Sequence, residues 1–161
     1  MTVDYIVASL PALAFGEKAP ISWERFREAV GDDALVARLE RRFADLEVQL
    51  RNAAAAARGG ADDARPADGC SLYWRDRVAA CFQEREVAKR QDLIDRAWWD
   101  AAGELASPAD PLGAGALAAY AVRLKIALRR DRADAAAGNA AFDAIADAAT
   151  PVFGQDREQK I

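Results

Sequence analysis

Few side chains in this 161-residue chain could do chemistry, and their types exclude more than they support. Histidine is absent. Zinc sites built on cysteine and histidine, and di-metal bundles built on a Glu-x-x-His repeat, therefore cannot form. Asp143 and Asp147 stand four apart on a predicted helix face, where solvated like charges are the ordinary state of such a pair. Cys70 and Cys81 are the only cysteines. On one helix they would lie about 16 Å apart, beyond the ~7 Å that a disulfide spans, so two free thiols are expected. Cys81 falls inside an apolar face and has no histidine to activate it. General acid-base work by paired carboxylates depends on the fold and has no motif in its favour. No catalytic centre, metal or cofactor is expected.

Two features point instead to recognition. Arg123, Lys125, Arg129, Arg130 and Arg132 form a basic run in an otherwise acidic chain. It reads either as a solvated helix face whose cations favour a helix C-terminus or as a docking patch for an acidic partner. Trp98 and Trp99 are adjacent, so on a helix they point about 100° apart and cannot face one core centre. Trp98 fits the inner stripe. Trp99 lies at its edge or outside it, to cover a core boundary or to anchor a partner.

The elements that must position these residues are helical. Ser22 is placed to cap a short helix carrying Trp23, Phe26 and Val30, which Gly31 ends. Asp32 or Asp33 caps the next, where Leu35, Leu39, Phe43, Leu46 and Leu50 form one stripe. The glycines, proline and aspartates of residues 59–69 predict a mobile loop. From Leu72 to about Leu105 the chain reads as one long helix or two nearly continuous ones. Tyr73, Val78 and Phe82 mark its first apolar face, and Ile94, Trp98, Ala101 and Leu105 its last. Between them, Glu86 with Arg90 and Asp92 with Arg96 supply ion pairs four residues apart. Leu117, Tyr120, Ala121, Leu124 and Leu128 make a further stripe, and Phe142, Ile145, Ala149 and Phe153 a last one. Residues 3–10 are too few for periodicity to separate strand from helical turn.

Hydrophobic residues make up 52% of the chain, much of it alanine, so the core is thin and depends on a few large side chains. A formal net charge of -4 argues against a nucleic-acid binder with a broad basic surface. No apolar run reaches the ~20 residues of a membrane span, and the start lacks a basic secretion signal, so a cytoplasmic protein is expected. The fold class is all-α: a single-domain helical bundle of about five helices with antiparallel hairpins, over residues 1–154, with 155–161 as a frayed tail.

Four segments also carry a resemblance: Tyr5-Ile-Val-Ala-Ser-Leu-Pro-Ala-Leu13, Pro20-Ile-Ser-Trp-Glu-Arg-Phe26, Asp95-Arg-Ala-Trp-Trp-Asp-Ala-Ala-Gly-Glu-Leu105 and Tyr120 to Ile126. They resemble an uncharacterised bacterial family encoded beside the subunits of V-type (A/V-type) rotary ATPases. Nothing between Leu35 and Gln91 aligns with it. The resemblance implies a non-catalytic adaptor or assembly component, related in role to the all-helical C (d-type) subunit between central stalk and membrane rotor ring. Such subunits are longer and three-lobed, and this chain has length for one lobe. The expected partners are V-type ATPase subunits, with no nucleic acid and with membrane association only through those partners. The family carries no established site residues over. The candidate partner-binding residues rest on the local reading alone: Trp99, Arg123, Lys125, Arg129 and Arg130. The reading kept beside it is a free-standing helical regulator or small-ligand-binding protein.

Overall fold

Capping residues set several helix boundaries in the computed structural model, which describes residues 2–60, 64–69, 71–133 and 145. Among these residues the chain is all-α, with six helices. The first, α1 (Val3–Ser9), settles the open segment as helix. It stops because Leu10 precedes Pro11 and takes the extended conformation that a proline imposes on its predecessor. In α2 (Trp23–Val30), Ser22 Oγ accepts the Arg25 N–H at 3.2 Å, and Gly31 closes the helix at φ 68°. That left-handed turn suits glycine, and it delivers the chain to Asp32. Asp32 is the cap of α3 (Asp33–Ala57), its carboxylate accepting from the N–H groups of Ala34 and Leu35.

Helix α3 is the spine of the fold, about 37 Å long at the standard rise. Its stripe serves two clusters in turn. Val36 and Leu39 pack with Ile6, Phe26, Val30, Leu117 and Leu124. Phe43, Leu50, Ala53 and Ala54 pack with Trp74, Val78, Ala97 and Ala101.

The stretch from Leu72 onward is two helices, α4 (Leu72–Cys81) and α5 (Val87–Gly103). No glycine or proline makes this break. Instead the ring of Phe82 is held against the second cluster, with the guanidinium carbons of Arg58 and Arg90 at 5.2 and 5.9 Å from its centre. Both helices thereby bring alanine and tryptophan to the same side of α3. Arg90 is drawn to Phe82 and to the Glu84 carbonyl, and Glu86 pairs with Lys89 instead. Arg96 pairs with Asp100 at 3.2 Å. Tyr73 also departs from its expected place, being 59% exposed, while Trp74 is buried. Five residues from 73 to 78 rotate a side chain by 140°, whereas the step of four from 74 keeps it on one face.

In α6 (Ala114–Asp131), Leu117, Ala121 and Leu124 are buried as the stripe required, with Tyr120 half-buried at its margin. The chain divides into two compact units, residues 1–128 and 129–161, so the last turn of α6 belongs to the second. Of the final predicted helix only Ile145 is described, as a helical residue. Asp143, Asp147, the domain limit at residue 154 and the tail all lie outside the described residues, as does Cys70.

The loop after α3 is tied down where it is described. Asn52 both donates to the Arg65 carbonyl (2.8 Å) and accepts its N–H (2.9 Å). Asp45 accepts the Asp68 N–H, and Gln49 Oε1 accepts that of Ser71. Residues 45, 49 and 52 recur at helical spacing, a polar ladder that binds loop backbone as the opposite face binds core.

Candidate functional site

Of the candidate residues, Trp99 and Arg123 sit where α5 and α6 meet the α1–α2 connection, and Lys125 turns elsewhere. Trp99 is only 6% exposed. Its ring meets Phe15 edge to face at 5.5 Å and packs with Ile126 and Ala127. Of the two places expected for it, the one it takes is at a core boundary. The apolar face of α5 is broad because one side, with Ala97, Ala101 and Ala102, covers the second cluster, while Trp99 on the other covers a third. Trp98, central to that face, touches both clusters and stays half-buried because of its size. The two tryptophans do diverge, but both directions lead into protein.

The basic run is also divided. Arg123 and Lys125 are two apart on α6 and project about 200° from each other. Lys125 turns to α3 and α2, pairing with Glu40 and lying 4.5 Å from the centre of the Trp23 ring. Trp23 in turn stacks on Phe26, and Phe26 on Tyr120, so this cation rests on the end of a column of rings. Trp23, half-buried, is the aromatic beside a cation here, a role that sequence spacing alone could not assign because it joins α2 to α6. Arg129 and Arg130 lie in the last turn of α6, exposed and half-buried respectively, and belong to the second unit. There their charges favour the helix C-terminus.

Arg123 points the other way, to the end of α5. Its Nε donates to the Trp99 carbonyl at 3.0 Å and its guanidinium covers the Trp99 ring at 5.4 Å. Burial lowers its pKa from the ordinary value, with Asp100 opposing and Arg96 adding to that effect. Asp100 is the shared counter-charge, taking ion pairs from Arg77 and Arg96. Three arginines thus converge near one carboxylate at the negative end of the α5 dipole. Arg123 also closes a cavity of about 290 Å³, whose walls include Val7, Leu10, Leu13, Ala119 and Tyr120. The Tyr120 hydroxyl donates to the Pro11 carbonyl at 3.1 Å, which fastens the α1–α2 connection over α6.

Among the described residues no group of three or more cysteine, aspartate or glutamate side chains is placed to hold a metal, and no helix is long and apolar enough to cross a membrane. Cys81 is buried, and its Sγ donates to the Arg77 carbonyl at 3.3 Å. Burial pushes its pKa up from the ordinary thiol value, against smaller opposing effects of Arg77 and the backbone hydrogen bond. A thiol whose folded pKa is raised stays protonated longer than in the unfolded chain, so deprotonation favours unfolding. Stability is accordingly expected to fall as pH rises past about 9, with Cys81→Ala delaying that fall. In a Cys70→Ser background, Cys81 is expected to stay unmodified by a thiol reagent at pH 7 and to react on denaturation. Rapid modification of the folded chain would contradict its buried position.

No family model, no curated protein and no solved structure matches this chain.

Proposed function

We infer that this protein is a non-catalytic adaptor or assembly component of a bacterial V-type rotary ATPase, acting from the cytoplasmic side between central stalk and membrane rotor. The observation that carries this reading is the resemblance of the four segments from Tyr5 to Leu13, Pro20 to Phe26, Asp95 to Leu105 and Tyr120 to Ile126. These segments come together in space. Phe26 stacks on Tyr120, Arg123 bonds the Trp99 carbonyl, and Tyr120 holds Pro11. A resemblance confined to residues that build one joint region is what a shared fold unit requires.

The alternative is a free-standing helical regulator built around a ligand pocket with tryptophan walls. Trp74 is closed into the core, and neither it, Trp23 nor Trp98 lines the cavity beside Arg123. The half-buried Trp23 beside Lys125 favours a protein-facing edge on that side.

The candidate docking cations under this reading are Lys125 in the first unit and, apart from it, Arg129 and Arg130 in the second, and the test is reversal of their charge. The chain carrying Lys125→Glu, Arg129→Glu and Arg130→Glu is expected to lose association with the ATPase while keeping its helical circular dichroism. Unchanged association would reject these cations as the contact.

A further inference from the structure

We propose that the outer face of α3 at Arg38, Arg41 and Arg42 is a docking surface for an acidic helix of a partner protein, a contact apart from the cations of the adaptor reading. Spacings of three and four bring the three side chains within about 100° of arc and about 6 Å of helix axis. All three are exposed, on the side away from Val36, Leu39 and Phe43, which enter the core. Among the described residues none of the three has a hydrogen bond, an ion pair or a ring contact.

The chain leaves this cluster without counter-charge although it carries more acid than base, 26 aspartates and glutamates against 22 lysines and arginines. The nearest acids of α3 are committed elsewhere. Glu40 pairs with Lys125, and Glu47 with Arg51. Asp45 stands four residues from Arg41 and three from Arg42, the positions of an ion-pair partner, but its two oxygens accept from Gln49 Nε2 and from the Asp68 N–H. At spacings of three and four the charged residues that Arg38 meets are Arg41 and Arg42, and like charges so placed disfavour a helix. A local cost with no compensation inside the fold points to a partner outside it.

Carboxylates are the fitting counter-charge. A guanidinium takes two such oxygens side by side, and glutamates three and four apart on a neighbouring helix repeat the spacing of the arginines. A nucleic acid or a bilayer fits less well. Within one further turn the same face of α3 carries Asp45 with the exposed Asp68 bound above it, so a continuous row of phosphates would meet carboxylates there. Among the described residues of α3 no large apolar side chain is exposed to enter acyl chains.

The probe is a fluorescein-labelled, alanine-based helical peptide with glutamates at spacings of three and four, titrated with the purified full chain at low ionic strength and followed by anisotropy. It is expected to bind saturably, and its glutamine counterpart about tenfold more weakly, since exposed ion pairs contribute factors of roughly two to five each. Arg38→Gln, Arg41→Gln and Arg42→Gln together should weaken the glutamate peptide by the same factor. Arg25→Gln, Arg51→Gln and Arg75→Gln together remove equal charge from exposed arginines already paired with acids, and should leave binding unchanged. The first triple variant should unfold at the parent's temperature or above it, because repulsion is relieved. Oligothymidylate and phosphatidylglycerol vesicles, the phosphate controls, should bind more weakly than the glutamate peptide. Absence of saturable peptide binding, equal affinity for the glutamine peptide, equal loss in both triple variants, a lowered unfolding temperature in the first, or tighter binding of either phosphate control would each overturn the assignment.

Discussion

Gly115→Ala is expected to destabilise the protein by about 1–3 kcal/mol, although alanine is the better helix former. The position lies in the first turn of α6 and is buried. A Cβ built there stands 2.1 Å from the Leu105 carbonyl oxygen and 3.1 Å from its carbonyl carbon. Both are backbone atoms, at the point where the chain leaves α5 and crosses the start of α6. Neither can rotate aside as a side chain would, so the helices must part or the turn must distort. The gain in helix propensity, at most about 1 kcal/mol, does not offset that. Gly103→Ala is the matched control. Its obstacle at 2.7 Å is the far end of the Arg123 side chain, which can swing clear, so its effect is expected to stay within about 1 kcal/mol. Denaturant unfolding of the two variants checks this. Equal stability of Gly115→Ala and the parent would contradict the close approach of α6 to residue 105.

Phe26→Ala should cost more still, about 3–5 kcal/mol. Phe26 is fully buried, with Trp23 at 5.0 Å on one face and Tyr120 at 5.9 Å on the other. Removing it leaves a void between two aromatic rings that α2 and α6 hold apart, and the surroundings can close it only by moving a helix. The central ring also positions Trp23 under Lys125 and Tyr120 over Pro11, so a shift in tryptophan fluorescence should accompany the loss. Leu72→Ala, at a side chain 60% exposed, should change stability by no more than about 0.5 kcal/mol. A loss of under about 1 kcal/mol for Phe26→Ala would place this residue outside the core.

Much of this fold is legible in the sequence because its signals are local. Ser22, Gly31 and Asp32 act through bonds to residues within four positions, and the α3 stripe from Leu35 to Leu50 needs only the helical period. The break between α4 and α5 is not legible, because a tertiary contact makes it: Phe82 is held by Arg58 from α3's end and by Arg90 across the turn. The same reason hides the candidate site. A run of cations reads as one patch along the chain, but the 100° step sends Arg123 to the end of α5 and Lys125 to Glu40. Trp99 could be placed at the edge of its stripe, yet what waits at that edge, Phe15 and Ile126, comes from segments far off in sequence. The ladder of Asp45, Gln49 and Asn52 was in plain view at helical spacing, and its partners are backbone groups that carry no sequence signal.

The central claim is association with a rotary ATPase, and the most direct measurement is mild-detergent affinity purification of the tagged protein from its own host, with mass spectrometry of everything retained. Stoichiometric recovery of the ATPase head, stalk and ring subunits is the expected result. Recovery of the protein alone, from cells shown to contain an intact ATPase, would contradict a stable place in that machine.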